Sequence, residues 1–212
     1  MDTNNQAASP PVIHVVDDDA SIRSALERLL GARGFAVRSY ASAEDFALAP
    51  PSAAPGCIVL DLNMPGLDGL GLQDLLARDR NALPIVFLTG SGDIASSVRA
   101  IKAGAEDFLP KPVRSEQLFD AIDRALLRWQ AARIERAGRD ELDARFSTLT
   151  PREREVFVLV VQGLLNKQIA YELGNTERTV KEQRRSVMEK MGADSLAELV
   201  LAAARLGIVH AG

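Results

Sequence analysis

The run Cys57-Ile58-Val59-Leu60-Asp61-Leu62-Asn63-Met64-Pro65-Gly66 decides the fold. Its first four residues are apolar without alternation, which marks a strand buried on both faces, the kind found in parallel sheets. The strand ends on a carboxylate, Asp61, and Pro65-Gly66 then turns the chain sharply. In an open α/β sheet, binding and chemistry gather in the crevice outside the carboxyl ends of the strands. An Asp there often only caps a loop or helix. The role of Asp61 therefore depends on what the other strands bring beside it.

Upstream, Val12–Val16 is a short apolar strand followed at once by Asp17-Asp18-Asp19, and Phe35–Tyr40 is a second strand. Downstream, Ile85–Thr89 and Asp107–Leu109 complete a set of five. Apolar residues at helical spacing fill the gaps, over 21–33, 69–78 and 93–103. A short helix opens at Ser42 with Glu44 and Asp45 in its first turn, and another opens at Ser115. This alternation predicts an α/β fold: a doubly wound parallel sheet in the order 2-1-3-4-5 with right-handed crossovers. The switch point lies between the first and third strands, where Asp17, Asp18, Asp19 and Asp61 leave the sheet.

Unpaired carboxylates brought together repel one another, and a hard divalent cation relieves them. Magnesium, which takes oxygen ligands and keeps several waters for a phosphoryl group, fits best. Asp17 and Asp18 are the metal-side acids, whereas Asp19 caps the following helix. The fourth strand delivers Thr89 beside Gly90, and the fifth leads to Lys111-Pro112, whose ammonium suits a phosphoryl oxygen.

Of the 212 residues, 47% are apolar and 25% charged, as in an ordinary globular protein. A formal charge of −4 argues against a chain coated in nucleic acid. The charge is uneven: residues 1–128 hold 12 Lys and Arg against 17 Asp and Glu, and residues 129–212 hold 13 against 12. Balances of −5 and +1 point to two domains with different partners. The single cysteine, Cys57, lies in a core strand and suits a reducing cytoplasm. Residues 1–11 read as a short disordered arm rather than a signal peptide, and no apolar run is long enough to span a bilayer.

After a first domain over 12–128, residues 129–145 carry few large apolar residues and read as a linker helix. Residues 146–212 form a small all-α domain of four helices. Thr150-Pro151-Arg152-Glu153 is a capping box, Asn166 caps a second helix, Thr176 a third, and Asp194 or Ser195 a fourth. The second and third have the proportions of a helix-turn-helix. On the third, Val180, Val187 and Met191 share an inward face, while Arg178, Lys181, Glu182 and Arg185 lie opposite and Arg184 toward the flank. The second helix of such a pair enters the DNA major groove.

Four stretches resemble the receiver domain of bacterial two-component response regulators: Val15-Val16-Asp17-Asp18-Asp19, Val59 through Pro65, Leu88-Thr89-Gly90 and Lys102 through Pro112. The resemblance implies that Asp61 accepts a phosphoryl group from a histidine kinase and that Asp17, Asp18, Asp61 and the Asn63 carbonyl hold Mg2+. It also implies that Thr89 and Lys111 contact the phosphoryl oxygens, that Lys111-Pro112 is cis, and that Phe108 is an aromatic switch. Leu149 through Val156, Gly163-Leu164 with Asn166 through Ala170, and Arg178 through Lys181 resemble the effector domain of the NarL/FixJ (LuxR-type) class. That likeness implies DNA contact by Arg178, Thr179, Lys181, Glu182, Arg184 and Arg185, and homodimers through the last helix. Gln183 and Asn175 depart from the class, where His and an apolar residue are usual. The expectation is a cytoplasmic transcription factor, not an enzyme, switched at Asp61. The rivals are an aspartyl phosphatase, which normally has a second Asp where Asn63 stands, and a signalling protein whose helical part binds proteins.

Overall fold

Five strands, β1 (Val12–Val16), β2 (Ala36–Tyr40), β3 (Gly56–Asp61), β4 (Ile85–Thr89) and β5 (Asp107–Pro110), pair in parallel in the order β2-β1-β3-β4-β5. They belong to a computed structural model that describes residues 10–49, 54–77, 83–90 and 94–208. The unalternating run in β3 does what its composition dictates, with all six residues buried. Register brings Val16 beside Leu60, Asp61 beside Leu88, and Thr89 beside Pro110. The tips of four strands therefore stand abreast along one edge.

Helices α1 (Ala20–Ala32), α2 (Ala43–Ala47), α3 (Gly69–Leu76), α4 (Ile94–Lys102) and α5 (Ser115–Ser147) follow the strands in turn. Successive strand residues point to opposite faces, so Val59 and Leu60 enter different cores. Val59 joins Ile13, Val15 and Leu88 with Leu26 and Leu30 of α1 and Leu118 and Ile122 of α5. Leu60 joins Val16, Ile58 and Phe87 with Ala43 of α2, Leu70 and Leu72 of α3 and Ala100 of α4. Each fully buried Leu, Ile or Phe contributes about 1.5–3 kcal/mol. Cys57 lies in the first of these cores, and burial pushes its thiol up to about 12. Residues 1–9 of the arm expected at 1–11, and the helix ends expected at Arg78 and Asp93, lie outside the described residues.

The chain divides into two compact units, Met1–Ala132 and Arg133–Gly212. Helix α5 contributes to both: its first turns pack on the sheet, and Leu142 and Phe146 pack in the second unit. The stretch read as a linker helix thus lies in the second half of one 33-residue helix. Gly138, at a cost of about 1 kcal/mol relative to Ala, does not interrupt it.

The second unit holds α6 (Pro151–Val161), α7 (Asn166–Glu172), α8 (Glu177–Met191) and α9 (Leu196–Arg205) around Val156, Phe157, Ile169, Val180, Val187, Met191 and Leu199. The capping box at Thr150 and Glu153 forms, and Thr176 and Ser195 cap α8 and α9. One expectation is corrected. Asn166 is the first residue of α7 rather than its cap, because Gln168 Oε1 accepts the Leu165 N–H at 2.8 Å and makes Leu165 the capping position. Among the described residues no helix is long and apolar enough to cross a membrane.

Candidate functional site

The end of β1 delivers Asp17 and the end of β3 delivers Asp61, which are 1% and 6% exposed, beside the exposed Asp18. One carboxylate oxygen from each of the three lies within 4.8 Å of the others. Three hard oxygen donors this close match a small divalent cation. Lys111 enters the same crevice from the end of β5, its Nζ 2.6 Å from Asp17 Oδ2 and 3.0 Å from Asp61 Oδ2.

Burial raises the Asp17 carboxyl above the ordinary range, although Lys111 and the Asp19 N–H oppose it. Burial also disfavours the Lys111 ammonium, but hydrogen bonds to Asp17 and Asp61 outweigh it and hold Lys111 above its usual value. Lys111 is set beside Thr89 by its own N–H, which donates to the Thr89 carbonyl at 2.6 Å, and the Lys111–Pro112 peptide is cis. Thr89 is 2% exposed at the tip of β4. Phe108 is half-buried on β5, its ring centre 6.0 Å from that of Phe87 at 42°. Asp19 caps α1: its Oδ1 accepts the Ser21 N–H at 2.7 Å, and that bond holds its carboxyl low.

Three further residues shape this crevice without a local signature in the sequence. Arg23 reaches back from α1, its Nη1 donating to the carbonyls of Asp17 at 2.7 Å and Asp18 at 2.9 Å. Glu44 Oε1 accepts the Leu67 N–H at 2.9 Å, the foremost of the hydrogen bonds that hold its carboxyl low. Gly69 packs so closely that a Cβ there would stand 2.5 Å from the Asp61 carbonyl and 3.0 Å from the Phe87 ring. Asn63 is exposed just beyond Asp61, on the same loop.

In the second unit, Val180, Val187 and Met191 are buried and Arg178, Lys181, Glu182 and Arg185 are exposed, as the helical spacing requires. Two (i, i+4) pairs dress that face, Arg178 Nε to Glu182 Oε1 at 3.3 Å and Arg185 Nε to Glu189 Oε1 at 3.0 Å. Exposed pairs of this kind are worth only about 0.3–0.5 kcal/mol and yield readily to a phosphate. Thr179 is half-buried, its hydroxyl 2.9 Å from that of Thr176. Arg184 donates to Asn166 Oδ1 at 3.3 Å, which uses the side chain expected to cap α7.

Helix α8 is fastened to α6 by Glu153, which is 7% exposed. Glu153 accepts from Ser186 Oγ at 2.6 Å, Lys190 Nζ at 2.6 Å and the Thr150 N–H at 2.8 Å. Burial works against the Glu153 charge, but these partners prevail and draw the carboxyl down to about 2. Arg152 donates to the Leu173 carbonyl and, with the Asn175 amide oxygen turned toward it, to Asn175 at 3.1 and 3.3 Å. That pairing gives a physical reason for a polar residue in the turn before α8.

Residues 13–123 match the family described as response regulator receiver domain, and residues 147–203 match that described as bacterial regulatory proteins, luxR family. Nodulation protein W of Bradyrhizobium diazoefficiens is 43% identical over 205 residues, covering 97% of this chain and 90% of that protein. The transcriptional regulatory protein FixJ of the same organism is 40% identical over 198 residues, covering 93% and 97%. The solved structure of the response regulator StyR superposes with a TM-score of 0.80 at 44% identity, covering 93% of this chain and all of that one.

Proposed function

Because the chain belongs to the NarL/FixJ-type response regulators, phosphorylation-controlled transcription regulators joining a receiver to a LuxR-type DNA-binding domain, we propose that Asp61 is its phosphoacceptor. One observation carries the reading: Asp61 shares a crevice with Asp17, Asp18 and Lys111 at the tips of β1, β3 and β5. A sensor kinase and DNA are the partners this family membership brings. An Asp61 oxygen bonds to the phosphorus of a kinase phosphohistidine as the P–N bond breaks. The electron pair leaves with the imidazole, which takes up a proton, and an acyl phosphate remains on Asp61. Lys111 and the Thr89 hydroxyl stabilise the transferred oxygens.

Asp17, Asp18, Asp61 and the Asn63 carbonyl would hold Mg2+, which supplies positive charge against the phosphoryl oxygens. Thr89 then moves toward the phosphoryl group and Phe108 turns into the space it leaves. A receiver at 12–128 thereby acts through the linker helix at 129–145 on the DNA-binding domain at 146–212. Moving such an equilibrium from 1:99 to 99:1 takes about 5.5 kcal/mol of differential stabilisation.

In the DNA-binding domain, Lys181, Glu182 and Arg185 face base edges, and Arg178, Thr179 and Arg184 face the backbone. The active form is a homodimer on paired half-sites. It acts in the cytoplasm and turns over no substrate. Asn63 stands where a phosphatase would need its acid, and His14 is buried against Tyr40. Transfer of radiolabel from a phosphorylated donor tests the assignment. Wild type takes one label per chain in Mg2+ and Asp61→Asn takes none; equal labelling of the two would overturn it.

A further inference from the structure

The loop between β3 and α3 carries Asn63, whose backbone carbonyl the phosphoryl site requires. A backbone carbonyl points where the chain path sends it, and no side-chain rotamer can correct it. The loop is closed at its base, where Leu62 N–H donates to the Leu88 carbonyl at 2.9 Å and Gly69 N–H donates to the Leu62 carbonyl at 3.0 Å. Residues 63–68 bulge between these ends. Among the described residues, the Met64 and Leu67 side chains pack against the core, and Asp68 Oδ1 caps α3 by accepting the Gly71 N–H at 2.7 Å. Glu44 Oε1 accepts the Leu67 backbone N–H at 2.9 Å and is the tether that comes from another element.

Glu44 comes from a different element and is itself well placed. Ser42 Oγ caps α2 by accepting the Asp45 N–H at 3.0 Å. Phe46, two residues on, stacks edge-on against Tyr40 and His14 with ring centres 5.2 and 5.5 Å apart, which ties α2 to the sheet. Gly66 completes the contact. Its φ of 78° is a left-handed conformation, and a Cβ there would stand 2.7 Å from Glu44 Oε1. Glu44 is not among the carboxylates whose oxygens gather in the crevice.

We propose that Glu44 is a positioning residue of the phosphoryl site. Its carboxylate holds the Leu67 N–H, fixes the path of residues 63–68 and so sets the direction of the Asn63 carbonyl. This rests on the reading that Asp61 accepts the phosphoryl group with Mg2+. The consequence is specific: loosening the loop weakens the site's hold on the cation without removing any group that touches the phosphoryl oxygens.

The test has two readouts on the full chain, which should shift together. One is the Mg2+ dissociation constant of the unphosphorylated protein by calorimetry. The other is the rate of phosphorylation by acetyl phosphate as a function of Mg2+ concentration, read on a phosphate-retarding gel. Glu44→Ala should raise the Mg2+ concentration for half-maximal rate about three- to tenfold, the effect of losing one hydrogen bond of ordinary net worth. The rate at saturating Mg2+ should stay within about twofold of wild type, a split that general destabilisation would not produce. Glu44→Gln retains a side-chain oxygen acceptor and should titrate like wild type. Two results overturn the proposal: Glu44→Ala titrating like wild type, or Glu44→Gln failing as badly as Glu44→Ala. If instead wild type takes up no phosphate, or Asp61→Asn takes up as much, the assignment of Asp61 falls and this inference falls with it.

Discussion

Replacing Glu153 with Gln removes the charge that fastens α8 to α6. The carboxylate receives the Lys190 ammonium on both oxygens, at 2.8 and 2.6 Å, with Ser186 and the Thr150 N–H completing its shell. These partners draw its pKa from the ordinary 4.5 to about 2. At about 1.4 kcal/mol per tenfold change in proton affinity, the carboxylate contributes about 3 kcal/mol to the second unit at neutral pH. Its side chain is 10% exposed but that of Lys190 is 34% exposed, so solvent screening makes about 3 kcal/mol an upper value. An exposed ion pair would be worth under about 1 kcal/mol. The folded value lies below the unfolded one, so the contribution is whole above about pH 4.5 and is lost as pH falls toward about 2. Amide hydrogen exchange of the full chain at neutral pH reads α6 and α8 directly. Amides that exchange by opening of the whole second unit should do so about ten- to a hundredfold faster in Glu153→Gln. Exchange within about threefold of wild type would mean that the clamp is no stronger than a surface pair, contrary to this prediction.

Burial, with Arg38 adding, holds the His14 imidazole down at about 4. The unfolded chain therefore takes up a proton below about pH 6.5 that the folded one refuses, and up to about 3 kcal/mol is lost as pH falls from 6.5 to 4. In His14→Phe the drop in melting temperature between pH 7 and pH 5 should shrink; an unchanged drop would assign the acid sensitivity elsewhere. Gly69→Ala forces a methyl group against the Asp61 carbonyl, and should cost about 1–3 kcal/mol of stability by thermal melting and slow labelling of Asp61. Arg178→Ala should flatten the salt dependence of DNA affinity by about 0.9 in log–log slope, the share of one phosphate no longer neutralised. Arg185→Ala should instead relax base preference by about 1–3 kcal/mol, measured on duplexes carrying single changes.

The sheet and its crevice were legible because their signals are local. An unalternating apolar run ending in Asp61, and a second ending in Asp17, need only sheet topology to bring them together. Helix α8 was legible for the same reason, since 100° per residue separates Val180 from Lys181 without reference to any other element. Tethers between elements carry no such period. Arg23 carries no signal in the sequence and Glu44 reads only as an acid in the first turn of a helix, so nothing in their spacing predicts that they hold the loops beside Asp61. Asn166 shows the same limit at a boundary. It had the chemistry of a cap, but Gln168 closed the helix one residue earlier and left the Asn166 amide to Arg184.

Control of the second unit by chemistry on the first is tested most directly by titrating duplex DNA with the full chain, with and without acetyl phosphate and Mg2+, in wild type and Asp61→Ala. Phosphorylated wild type should bind at least about tenfold more tightly than the untreated chain, while treated and untreated Asp61→Ala should bind alike. Equal affinity for treated and untreated wild type, after stoichiometric labelling has been verified, would contradict it.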